Sequence, residues 1–108
     1  MAQNFRRFTN NNVGTGSVTS FTANSFDTVV GISVSNILGT TVNVDVFIND
    51  GSNDIYLVKS APIVPGSALQ VLDGGAKFVM QSGDALKIQS DTAASLDVWV
   101  SVVDDISS

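Results

Sequence analysis

Between Thr41 and Asn49 every second side chain is a branched aliphatic, Val42, Val44, Val46 and Ile48, with Asn43, Asp45 and Phe47 falling between them. Only an extended strand sends alternate side chains to opposite faces, because a helix would scatter those four positions around its axis. The segment therefore predicts a half-buried antiparallel strand. The same period of two returns at 96–103, where Leu96, Val98, Val100 and Val102 alternate with Asp97, Trp99, Ser101 and Val103. It also marks Val30, Ile32 and Val34, and Leu86 with Ile88.

Composition supports strands and turns throughout. Val fills sixteen positions and Ile seven, all ten acidic residues are Asp, and Glu is absent. Branched side chains favour a pleated strand, while Asp favours turns over helix interiors. Turn chemistry falls at Asn36 to Thr40, at Asn49-Asp50-Gly51-Ser52-Asn53-Asp54, at Asp73-Gly74-Gly75 and at Gln81-Ser82-Gly83-Asp84. Pro65-Gly66 suits the centre of a type II turn. A hairpin is expected over 41–60, and further strands over 68–72, 77–80 and 85–89. The expected fold is an all-β, antiparallel β-sandwich (jelly-roll or Ig-like) of about eight short strands, with a small barrel as the alternative. A chain of 108 residues, 44% hydrophobic and 14% charged, suits one folded domain.

The opening residues differ from the remainder. Residues 1–26 hold both arginines, Arg6 and Arg7, whereas the three lysines and ten aspartates all follow, a balance of +2 against −7. The expected division is an N-terminal arm with a first strand (17–22) over 1–26, and a sandwich body over 27–108. Phe5, Phe8, Phe21 and Phe26 are four of the six Phe, too many for a solvated tail. They must pack on the chain's own body or on a neighbour.

Missing residue types limit the chemistry. Without His or Cys, the usual zinc, copper, haem and iron–sulfur ligand sets and the Ser-His or Cys-His nucleophile pairs cannot be built. Acid–base work would rest on Asp, Lys or Tyr56, each far from neutrality without a large pKa shift. No enzymatic activity and no cofactor are expected. The oxygen-rich turn at 49–54 is the one calcium candidate, but its spacing fits no calcium loop, so turn formation is the expected role of its Asp and Asn. Neither Gly14-Thr15-Gly16 nor Gly74-Gly75-Ala76-Lys77 has the spacing or the following helix of a phosphate loop.

Partners follow from charge and from stranded aromatics. A net charge of −5 opposes nucleic acid. No apolar run nears the roughly 18 residues of a membrane span, and Met-Ala-Gln-Asn-Phe-Arg-Arg lacks a secretory signal's apolar stretch, so a soluble product of the cytoplasm is expected. If the valines of the two clearest strands face the core, Phe47 and Trp99 must point outward, and large outward aromatics mark association surfaces, the alternatives being cover by the Phe-rich arm or a bulge that turns the ring inward. The expected contact residues are Phe5, Arg6, Arg7, Phe8, Phe47 and Trp99. A rival use is glycan binding, with Trp99, Tyr56 and turn Asp or Asn residues gripping a sugar.

The stretch Asp45 to Leu69, with its Asp50-Gly51 turn, Ala61-Pro62-Ile63 and Pro65-Gly66, continues at Lys77 to Ile88 with Gly83-Asp84 before the penultimate strand. Together these motifs resemble small virion structural proteins of tailed bacteriophages, especially phages of marine cyanobacteria. The resemblance covers about residues 28–103 and leaves the first 26 outside. It implies a β-sandwich component of the particle, without enzymatic activity and present in many copies. The partners expected on this basis are further copies of the chain, with a trimer favoured, and other virion proteins. Capsid decoration and a head or tail appendage are the expected roles, and the tip of a host-recognition fibre is the glycan-binding alternative.

Overall fold

A computed structural model describes residues 3–23, 27–71 and 78–105. Its strands are β1 (Gln3–Val13), β2 (Val18–Thr22), β3 (Asp27–Asn36), β4 (Val42–Asn49), β5 (Asp54–Ile63), β6 (Ala68–Gln70), β7 (Phe78–Met80), β8 (Ala85–Ser90) and β9 (Leu96–Asp105). No helix occurs among the described residues. One sheet runs β1-β9-β3-β6, with β7 also on β3, and the other runs β2-β8-β4-β5. Every pairing is antiparallel. β6 pairs with Ser33 to Ser35 and β7 with Asp27 to Val29, so the two short strands share one position along β3. With that position counted once, the strand order is that of a jelly roll, which decides between the two sandwich topologies expected.

The alternation supplies the core. Val42, Val44 and Val46 of β4, Leu86 and Ile88 of β8, and Leu96 and Val100 of β9 are fully buried between the sheets. Each such aliphatic contributes about 1.5–3 kcal/mol relative to exposure. Where a strand carries an extra residue, the period breaks. β3 is bulged between Val29 and Gly31, so Val29 and Ile32 point inward while Val30, expected beside Ile32, is 42% exposed.

The opening segment is laid down as two strands, one in each sheet. β1 pairs with β9 from Gln3 opposite Asp105 to Val13 opposite Leu96, and β2 pairs with β8. Phe8 of β1 stacks on Phe21 of β2 with ring centroids 4.4 Å apart, closing the sandwich on that side. Of the remaining expected features there, Phe26 lies outside the described residues, as do Leu72, the 73–75 turn and Lys77.

Turns behave as their residues dictate. Ser67 N donates to Val64 O across Pro65-Gly66, and Gly66 takes a φ of 74°, which a type II turn requires at its third position. At one end of the sandwich the buried Asn36 ties three segments together. Its Nδ2 donates to Thr40 O at 2.7 Å and Ile63 O at 2.8 Å, and its Oδ1 accepts from Leu38 N at 2.8 Å.

Candidate functional site

The outer face of the β1-β9-β3-β6 sheet carries the chain's one tryptophan. Val98 and Val100 point into the core, so Trp99 between them points out, and its residue is 52% exposed. Cross-strand register sets its surroundings. Thr9 and Ser33 stand opposite Trp99 on its two sides, and Gln70 follows beyond Ser33. One level away lie Arg7, Ser101 and Gly31; one level the other way lie Asp97, Ser35 and Ala68.

Thr9, Ser33, Ser35 and Ser101 are short, so the indole stands above them beside a hollow. The hollow has a volume of about 410 Å³ and is lined by Thr9, Asn11, Ser33, Ser35, Asp97 and Trp99, among others. The Arg7 guanidinium carbon lies 5.3 Å from the indole centroid, a cation–π contact made from the Ser101 level. Asp97 lies at the opposite level, where its Oδ1 accepts from Asn12 N at 3.1 Å. Gln70 Nε2 donates to Ser33 Oγ at 3.0 Å. Strands of a single sheet thus hold the hydroxyl, amide and carboxylate groups around one ring.

Phe47 follows the same alternation on the other sheet but ends differently. It lies on the outer face, paired with Tyr56 and Lys87, yet is only 4% exposed. The Tyr56 ring lies 4.9 Å from the Phe47 ring. Lys59 Nζ sits 4.4 Å over Tyr56 and 3.7 Å from Asp45 Oδ2. The expectation of an exposed Phe47 ring is therefore corrected, because the bulged β5 strand places Tyr56 over it. Trp99 and Tyr56 lie on different sheets, so a single sugar grip using both is not formed.

The remaining expected contact residues are placed as follows. Phe8 is turned inward against Phe21, and Arg6 sits 5.1 Å over the Phe8 ring. Phe5 pairs with Val103 through its backbone, and its side chain lies outside the described residues. Sequence reasoning found Trp99 but missed Thr9, Ser33, Ser35 and Asp97. The period of two in β9 gives Asp97, but Thr9 reaches the site only through the pairing of β1, which has no alternating apolar pattern.

The 49–54 turn spends its oxygens on itself. Asp50 Oδ1 accepts from Ser52 N at 3.0 Å and Asn53 N at 2.8 Å, Asn49 Oδ1 accepts from Gly51 N, and Asn49 Nδ2 donates to Asp54 Oδ1. The backbone N–H groups of Asn53 and Ser52 hold the Asp50 carboxyl below its ordinary pKa. Among the described residues, no three His, Cys, Asp or Glu side chains gather into one group.

The sheet edges also differ. β5 carries Pro62, a Ser60 φ of 53° and two register shifts, all devices that discourage further pairing. β6 and β7 have three residues each, and β2 has five with a shift near Ser20. β1 has eleven residues, lacks Pro and pairs regularly with β9 from Gln3 to Asn10; its guards are the charged Arg6 and Arg7 and, beyond Asn10, a register shift with Asn12 at a φ of 53°. No described strand covers its other side.

Comparison with solved structures bears on the fold. A chain from Bacillus endospore appendages, described as a novel family of disulfide-linked pili, aligns with a TM-score of 0.57 and 15% identity, over 98% of this chain and 88% of that one. A pentameric capsid protein isolated from metagenomic phage sequences aligns with a TM-score of 0.52 and 17% identity, over 95% of this chain. This chain spans 61% of that capsid protein's length. At these identities the likeness is one of fold. No family model and no curated protein matches the sequence.

Proposed function

We propose that the chain is a non-enzymatic structural subunit of a phage virion, a capsid decoration or a head or tail appendage, that assembles with copies of itself. The observation that carries this reading is the edge of β1, the longest strand edge left open among the described residues, which lacks Pro and pairs without a break from Gln3 to Asn10. An exposed strand edge is a template for another strand, and proteins that do not use one normally blunt it. The likeness in fold to an appendage chain and a capsid chain supports the reading, as does the sequence resemblance to phage virion proteins.

The absence of cysteine adds a constraint. Disulfides of this sequence do not hold copies together, in contrast to the disulfide-linked pili that share the fold. Noncovalent assembly needs on the order of 1,000 Å² per stable contact, or many weaker contacts acting together on a symmetric particle.

Size-exclusion chromatography with light scattering tests the proposal, together with hydrogen exchange read along β1. A discrete multiple of the chain mass is expected, insensitive to reductant, with the β1 amides that face away from β9 protected only in the assembly. Copy number comes from the same measurement; the sequence expectation is a trimer, and the capsid likeness is to a pentamer. A chain that remains a monomer at millimolar concentration and binds no phage particle would end this reading.

A further inference from the structure

We infer that the hollow beside Trp99 is a binding site for a neutral pyranose ring, on the outer sheet face next to the β1 edge proposed for assembly. Three properties of the hollow point to that chemistry.

The ring comes first. The indole is half exposed on the flat face of a sheet, and Arg7 contacts it from the Ser101 level. Ser35 and Asp97 lie at the opposite level and line the hollow. A flat ligand entering there meets the side of the indole that faces away from Arg7. The axial C–H groups of a pyranose make such an apolar face, and an indole is the largest apolar side chain available to meet it.

Hydrogen-bonding capacity comes second. Thr9, Ser33 and Ser35 offer hydroxyls that donate or accept, Asn11 offers both ends of an amide, and the Asp97 carboxylate accepts. Hydroxyls around a sugar ring need that mixture at its rim. A protein contact centred on Trp99 would instead be ringed by side chains that exclude water, and here the neighbours are small and polar. An anionic ligand would meet Asp97 and a chain of net charge −5.

Size and rigidity come third. About 410 Å³ lies within the range of small-molecule clefts, about 300–1,000 Å³. The lining residues are borne mainly on β1, β3 and β9 of one sheet, and Asp97 and Ser33 are already oriented by Asn12 N and Gln70 Nε2. A site ordered before binding loses less affinity to ordering.

Because Trp99 is the only tryptophan, its emission reports this site directly. The purified chain would be titrated with methyl glucoside, methyl galactoside and N-acetylglucosamine, with the open-chain polyol sorbitol as control. At least one pyranose is expected to change the emission saturably with a millimolar midpoint, while sorbitol leaves it unchanged. Ser35→Leu, which fills the hollow, is expected to weaken binding about tenfold or more at unchanged melting temperature and mass; Asp97→Ala, read by calorimetry, is expected to do the same by removing a charged acceptor. Should Ser35→Leu fail to fold, Asp97→Ala decides alone. The inference is overturned if no pyranose moves the emission, if sorbitol moves it equally, or if both variants bind as the parent does. It is likewise overturned if the assembled form no longer responds to any pyranose, because a second copy then covers the indole. Light scattering without sugar reads assembly separately, so either proposal can fail without the other.

Discussion

Replacing Asn36 by Ala is expected to be among the costliest single changes outside the hydrophobic core. The side chain is 3% exposed and makes three hydrogen bonds of 2.7–2.8 Å, to Thr40 O, Ile63 O and Leu38 N, joining β3, the following loop and the end of β5. Each contributes about 0.5–1.5 kcal/mol net, and a buried group left without its partner costs about 1–3 kcal/mol. The bond to Ile63 O is buried and the other two are partly wet, which puts the total near 3 kcal/mol. For a domain of this length that loss lowers the melting temperature by about 10–20 °C. Chemical denaturation followed by far-ultraviolet circular dichroism measures it, with an unchanged m-value as evidence that two-state unfolding holds. Asn36→Asp adds a second reading, because a carboxylate would face two carbonyl oxygens. Its folded pKa would therefore lie above the unfolded value, so that variant recovers stability as pH falls through the folded pKa. If Asn36→Ala costs less than about 1 kcal/mol, the backbone bonds Asn36 N to Ser67 O and Ile37 N to Ser95 O hold this end unaided, and the reasoning fails.

Other expectations follow from burial and charge. Phe47→Ala should destabilise the fold by about 2–4 kcal/mol although Phe47 lies on an outer face, whereas Trp99→Ala should stay within about 1 kcal/mol; thermal unfolding of both variants tests the contrast. Phe8→Ala should cost about 2–4 kcal/mol by removing the stacked partner of Phe21, and hydrogen exchange should rise along β1 before it rises in β4. Asp50, held by backbone N–H groups, should titrate below an ordinary carboxyl in a carbon-detected NMR titration. The sign follows: its help to the turn is complete above the unfolded pKa and fades as pH falls through the lower folded value.

Much of the sandwich was legible because its strands are one-sided. β4, β8 and β9 bury alternate side chains almost without exception, and a period of two can be read without knowing the neighbours. Bulges were not legible. The extra residue at Val30 turned a side chain outward that the pattern had placed inside. β1 escaped for a different reason: along Phe5 to Val13 its inward positions include Asn10, so polar residues obscure the alternation, and the strand is defined by what it pairs with. Trp99 and Phe47 show the limit most clearly. One argument put both rings on outer faces, and both lie there, but exposure depends on neighbours in space. Thr9 and Ser33 are too short to cover an indole, whereas Tyr56 reaches over Phe47. That difference depends on strand order and register, which no local pattern contains.

The pairing of Gln3 with Asp105 has a kinetic side. As the polypeptide is synthesised, β1 emerges before β9 and waits for it before its amides find carbonyls, so this pairing carries a large loop-closure entropy. Until then the nascent sandwich lacks one border, and the stacked Phe8 ring offers the means to keep that waiting segment lodged against β2. A variant that loosens the ring should therefore leave newly made chains prone to capture by one another before they mature.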